Sequence, residues 1–230
     1  MDNLIMSSAT VGIVLSLLAY EIGLAAQRKW KLAILNPLLI SIILVIVFLL
    51  VFHVDYESYN ISAKYLSYLL TPATVCLAIP LYLQLELLKK NIFAILGGVF
   101  SGVLASLGSV LALSVLFGLN HEEYVTMLPK SITTAIGMGI SEELGGYVTI
   151  SVAVIIITGV LGNMSAEYIC KLVRIKSPIS RGLAIGTASH AVGTARAMEL
   201  GEVEGAMSSL AIVVCGLCTV IGASIFSYLW

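Results

Sequence analysis

Residues 127–140 read Met-Leu-Pro-Lys-Ser-Ile-Thr-Thr-Ala-Ile-Gly-Met-Gly-Ile. The stretch is apolar at both ends, yet shorter than the roughly 20 residues a helix needs to cross a bilayer. Pro129 removes a backbone donor inside it. Lys130, Ser131, Thr133 and Thr134 make its centre polar. A membrane tolerates such a segment only where protein or water shields the backbone. It predicts a re-entrant hairpin or a broken helix, and the way it is counted decides the topology.

The flanking sequence supports a membrane setting. Of 230 residues, 59% are hydrophobic and only 11% are charged, against about 25% charged in soluble domains. A soluble domain of this size cannot hide so much apolar surface. An ordinary cytosolic enzyme, a disordered chain and a nucleic-acid binder are excluded. The class is an all-α polytopic membrane protein. Full spans are predicted over 6–26, 32–52, 65–85, 92–119, 147–167, 182–198 and 205–230. The first run is followed by Arg28 and Lys29 rather than preceded by a basic cluster, so it reads as a retained span and not a signal peptide. Cys76, Cys170, Cys215 and Cys218 sit in or beside apolar runs and read as packing residues, with no metal or cofactor site.

Charge placement sets the orientation. Three loops are basic: Arg28, Lys29 and Lys31; Lys89 and Lys90; and Lys171, Arg174, Lys176 and Arg181. Asp55 and Glu57, Glu122 and Glu123, and Glu199, Glu202 and Glu204 mark the opposing loops. Basic loops are cytoplasmic, which predicts an N-terminus outside and a C-terminus in the cytoplasm. An odd number of crossings must then separate Glu122 from Lys171. Seven spans with 127–140 re-entrant satisfy this. Eight full spans remain the alternative, at the cost of the charge rule.

Two segments share a pattern. Thr71-Pro-Ala-Thr-Val-Cys-Leu-Ala-Ile-Pro80 and Gly186-Thr-Ala-Ser-His-Ala-Val-Gly-Thr-Ala-Arg196 each precede a glutamate, a polar turn and a Gly/Ser-rich span. Under this topology they run in opposite directions, a partial inverted repeat of the kind found in carriers. The chain reads as one transmembrane domain over 1–230. Its parts are the N-terminal spans (1–60), a first broken-helix unit (61–120), a re-entrant element plus span (121–180) and a second broken-helix unit (181–230).

Four blocks, TPATVCLAIPLY (71–82), LPKSITTAIGMGIS (128–141), GTASHAVGTARAMEL (186–200) and EGAMSSLAI (204–212), resemble the signatures of the LrgB/CidB family in order and spacing. One departure is Ala135, where the pattern has proline. The resemblance implies a multi-pass protein of the bacterial cell (inner) membrane, named antiholin-like and related to plastidic glycolate and glycerate transporters. It implies a small LrgA/CidA-type holin-like membrane protein as partner. It also implies either transport of small monocarboxylates or regulation of murein hydrolase activity and lysis.

The residues themselves supply candidates for binding a carboxylate. Arg196 lies in a span otherwise free of charge from Gly182 to Ala195, and arginine near mid-membrane costs at least about 2.5–3.5 kcal/mol. Two readings stand: bidentate capture of a carboxylate, or a pair with Glu199 near the boundary. His190, flanked by Thr187, Ser189 and Thr194, is a candidate for proton coupling or a satisfied structural histidine. Gly193 allows the helix to unwind between His190 and Arg196. Pro72, Pro80 and Pro129 are the other helix-break candidates. Thr71 and Thr74 add hydroxyls near the first two, and Lys130, Ser131, Thr133 and Thr134 form the re-entrant cluster, where Lys130 reads either as an anion-binding residue or as an interfacial anchor. The glycines of 97–108 read as a packing face. No arrangement of nucleophile and base, no HExxH and no GxSxG is present, so an enzyme is not expected. Partners expected are a small carboxylate, the holin-like protein, lipid and a possible second copy of the chain, with no nucleic acid.

Overall fold

The computed structural model describes residues 10–30, 35–69, 72, 75–76 and 78–230. Every regular element among them is helical, and four helices are long and apolar enough to cross a membrane. The chain divides into two compact units, Met1–Cys76 and Leu77–Trp230.

In the first unit, α1 (Val11–Trp30) and α2 (Pro37–Val51) pack together, with Gly23 against Pro37. Pro37 opens α2 at its first position, where the missing N–H is not needed. Asn36 caps it, its side chain accepting from Leu38 N at 2.9 Å and Leu39 N at 3.2 Å. The short helix α3 (Tyr56–Ala63) returns to α1: Gly12 N donates to Ser62 Oγ at 2.7 Å, and Ser16 Oγ meets Tyr59 OH at 2.7 Å. A 3-10 turn covers Lys64–Leu69.

The expected span over 65–85 is not one helix. The unit boundary falls inside it, and α4 starts at Ala78 and ends at Leu83. Pro80 lies within α4, and the chain breaks at Gln84 (φ −106°, ψ 20°) before α5 (Leu85–Lys90). Pro72 is helical and exposed, while Thr71 and Thr74 lie outside the described residues.

The second unit is built from α6 (Ile92–Phe117), α7 (His121–Met127), α8 (Thr134–Glu143), α9 (Val148–Leu172), α10 (Pro178–Leu200) and α11 (Glu202–Phe226). A left-handed Gly118 (φ 64°) ends α6, with Leu119 N bonded to Ser114 O. Asn120 and Glu123 then form a reciprocal capping box that starts α7.

α7 and α8 form a helical hairpin. Its first arm starts beside the head of α9, where Tyr147 OH donates to Glu122 Oε2 at 2.6 Å. Deeper, Ser151 Oγ donates to Thr126 O at 2.8 Å, and Gly137 packs on Ile155. The second arm climbs back, with Ser141 and Gly146 again beside Thr126 and Ser151. The chain therefore turns at 128–133 and leaves at the end where it came in.

α10 overturns an expectation. The stretch 182–198 is not one straight helix: it reverses at His190 (φ 43°, ψ −139°). In the first arm, Gly182 meets Glu204 and Gly186 meets Ser208, so it runs parallel to α11. In the return arm, Thr194 meets Ser208 and Met198 meets Gly205, so it runs antiparallel to α11. The two arms touch each other, Gly193 against Ile185 and Ser189. Both feet sit at the tail of α9: Arg196 binds Glu167, and Arg181 lies with Cys170 in one pocket wall.

The second hairpin changes the side on which the chain ends. Trp230 Nε1 donates to Leu119 O at 2.8 Å, and Tyr124 OH donates to Phe226 O at 2.8 Å. The C-terminus thus lies at the same end as the 118–123 loop, not opposite it as charge counting predicts. The loop acids Glu199, Glu202 and Glu204 lie at the end that carries Lys171 to Arg181. The physical reason is pairing: Glu204 is held by Arg181 at 3.4 Å.

Between the hairpins, α6 presents Ile95, Val99, Val103, Leu107 and Val110 to a core completed by Tyr124, Leu128, Ile132, Met207 and Ala211. In lipid this core is held by close packing rather than by escape from water, so small residues line the α10–α11 contact.

Candidate functional site

Both hairpin tips reach an open cleft of about 900 Å³ on the second unit. One wall is a stripe of α6 with Gly98, Ser101, Gly102, Ser106 and Ser109. The tip of the first hairpin contributes Lys130 and Ser131, α9 contributes Thr158 and Gly162, and the first arm of α10 contributes Ser180, Thr187 and Ser189. The α6 serines are the site residues that the sequence reading missed. Their signal was the same 97–108 stripe, read there as a packing face.

Lys130 is the only charged residue on this wall. Its Nζ donates to Ser106 Oγ at 3.1 Å and to Ser131 Oγ at 3.0 Å, and Ser106 Oγ donates to Ser131 Oγ at 3.2 Å. No carboxylate pairs with it among the described residues. The fork between Pro129 and Thr133 makes this placement. Pro129 interrupts the helix, Ile132 N bonds back to Pro129 O, and Thr133 adopts the extended backbone that starts α8. Thr133 and Thr134 are half-buried beyond the tip and are not among the wall residues.

The second tip is held by a network. His190 Nε2 sits 3.0 Å from Ile155 O, Asn163 Nδ2 donates to Val192 O at 2.7 Å, and Thr194 Oγ1 donates to His190 O at 2.9 Å while meeting Ser208 Oγ at 2.7 Å. A non-glycine residue at positive φ costs roughly 1–3 kcal/mol and persists only where neighbours fix it. These four contacts do so. The break stands at His190 itself, and Gly193 serves a different purpose: a Cβ there would lie 2.5 Å from Ser189 Cβ, so its absence lets the arms close. Gly162 on α9 likewise leaves room for Ser189.

Arg196 is elsewhere. It binds Glu199 on its own arm and Glu167 on α9 at 2.8 Å, and Glu167 also binds Lys171 at 2.7 Å. This group sits at the foot of the hairpin, and Arg196 is not on the cavity wall. Among the expected binding residues, the fold brings Lys130, Ser131, Thr187 and Ser189 together, keeps His190 and Thr194 in the tip network, and sets Arg196 apart.

The sequence as a whole matches the LrgB-like family over residues 16–229. The chain belongs to the LrgB family. This LrgB-family protein is 40% identical over 216 residues to the antiholin-like protein LrgB of Bacillus mycoides (strain KBAB4), covering 94% of each chain. The antiholin-like protein LrgB of Bacillus cereus (strain B4264) matches at the same identity and coverage. YxaC of Bacillus subtilis (strain 168) is 38% identical over 209 residues, 91% of each chain. No solved structure matches.

Proposed function

We propose that this LrgB-family protein is a transporter of small monocarboxylates of the pyruvate or glycolate type. The observation that supports it most is the Lys130 ammonium, without a carboxylate partner among the described residues, beside Ser106, Ser131, Thr187 and Ser189 in a cleft between two oppositely directed hairpins. One cation without an acidic partner suits one negative charge, and hydroxyls suit the remaining oxygens. Hairpin tips at a central site are a carrier arrangement, in which one bundle moves against another to alternate access. Proton coupling is assigned to His190 at the second tip. The protein sits in the bacterial cell membrane with the Lys89, Lys90 and Lys171–Arg181 end in the cytoplasm, which puts Trp230 outside. It acts with an LrgA/CidA-type holin-like partner or as a homo-oligomer.

A second reading follows from the names of its relatives. Relatives are named antiholin-like; the alternative is a regulator of murein hydrolase activity and lysis that does not transport and needs only an interface with a holin-like partner. Uptake of labelled pyruvate and glycolate into proteoliposomes, with and without that partner and under a pH gradient, separates the two. Saturable uptake supports transport. No uptake by folded protein in any combination supports the regulator.

A further inference from the structure

A second concave site lies at the other end of α9, away from the cavity and independent of the transport reading. It measures about 230 Å³ and is lined by Glu167, Cys170, Lys171, Arg174, Ile175, Lys176 and Arg181. Four cations face one carboxylate, and that carboxylate is already engaged by Lys171 and Arg196. Arg181 is fixed in place: its Nε donates to Ile175 O at 3.2 Å, its Nη2 to Lys176 O at 3.1 Å, and its Nη1 faces Glu204. Arg174 stands at a left-handed turn (φ 58°) closed by Ile175 N bonding to Cys170 O. Arg174 and Lys176 side chains have no ion-pair partner among the described residues.

We infer that this pocket binds a phosphate-bearing anion at the level of the lipid headgroups. A guanidinium held rigid beside two unpaired cations is suited to phosphate oxygens. Basic pockets between helices at the cytoplasmic face are also where anionic headgroups bind. The pocket walls join α9 to the foot of the second hairpin, so an anion here ties the hairpin to its scaffold. The ligand is either the headgroup of an anionic lipid or a free phosphate.

The test is the thermal unfolding of the detergent-purified full chain with short-chain phosphatidylglycerol, with short-chain phosphatidylcholine and with inorganic phosphate. The same titrations are run on Arg174→Gln/Lys176→Gln, both exposed and outside the packed core. A ligand at a hundredfold excess over its Kd raises the midpoint by roughly 5–10 °C. A rise with phosphatidylglycerol but not phosphatidylcholine, lost in the double variant, supports a lipid headgroup. A rise with inorganic phosphate, lost in the variant, supports a free anion. No rise with either anionic probe, an equal rise with phosphatidylcholine, or a rise the variant retains overturns the inference.

Discussion

Lys130 Nζ lies 3.1 Å from Ser106 Oγ, so the turn of the first re-entrant hairpin is joined to the middle of α6 through its only charge. The contact places an ammonium where two hydroxyls, but no carboxylate, answer it. If the cavity takes an anion, the charge at 130 is what it uses. Lys130→Gln is expected to lower carboxylate uptake tenfold or more with little change in folding. Ser106→Ala removes two hydrogen bonds, a charge-assisted one from Lys130, worth about 1.5–3 kcal/mol, and a neutral one to Ser131, worth about 0.5–1.5 kcal/mol; it is expected to weaken uptake less than Lys130→Gln, because the charge stays. Concentration-dependent uptake in proteoliposomes checks both.

Arg196 supplies the contrast. Its partners Glu199 and Glu167 lie at the foot of the second hairpin and are partly exposed. Exposed pairs contribute about 0–1 kcal/mol. Arg196→Gln is expected to lower the unfolding midpoint by no more than a few degrees and to keep most uptake. Loss of uptake comparable to that of Lys130→Gln contradicts the placement of the anion at the first tip.

The closeness of Gly162 to Ser189 gives a stability prediction. A Cβ at 162 overlaps the Ser189 hydroxyl. Overpacking typically costs about 1–3 kcal/mol, so Gly162→Ala is expected to lower the thermal midpoint. Ser189→Gly in the same chain restores part of the loss. A thermal shift series of the two single variants and the double variant reads the coupling.

The first hairpin was legible because its sequence is too short for a span, carries Pro129 and Lys130, and is followed by a loop of fixed charge. The second was not. Residues 182–198 have a span's length, and no proline or glycine stands at the reversal. Its turn falls on His190, held there by Ile155, Asn163, Thr194 and Ser208, which are contacts no local pattern displays. The acids that follow looked like an opposing loop, yet Glu204 is recruited by Arg181 across 23 residues. Arg196 left two readings open, and the return arm of the hairpin puts it with Glu199, the pair that one of them expected, and with Glu167. Ser101, Ser106 and Ser109 share a helix face with Gly98 and Gly102, and small residues signal packing and cavity walls alike.

The account depends most on the reversal of α10. Single cysteines at Lys176, Glu199 and His121, in a background lacking the four native thiols, are labelled with a membrane-impermeant reagent from each side of oriented vesicles. The account predicts that positions 176 and 199 label from one side and position 121 from the other. Labelling of 176 and 199 from opposite sides would mean that 182–198 crosses the membrane, and the paired-hairpin site would not exist.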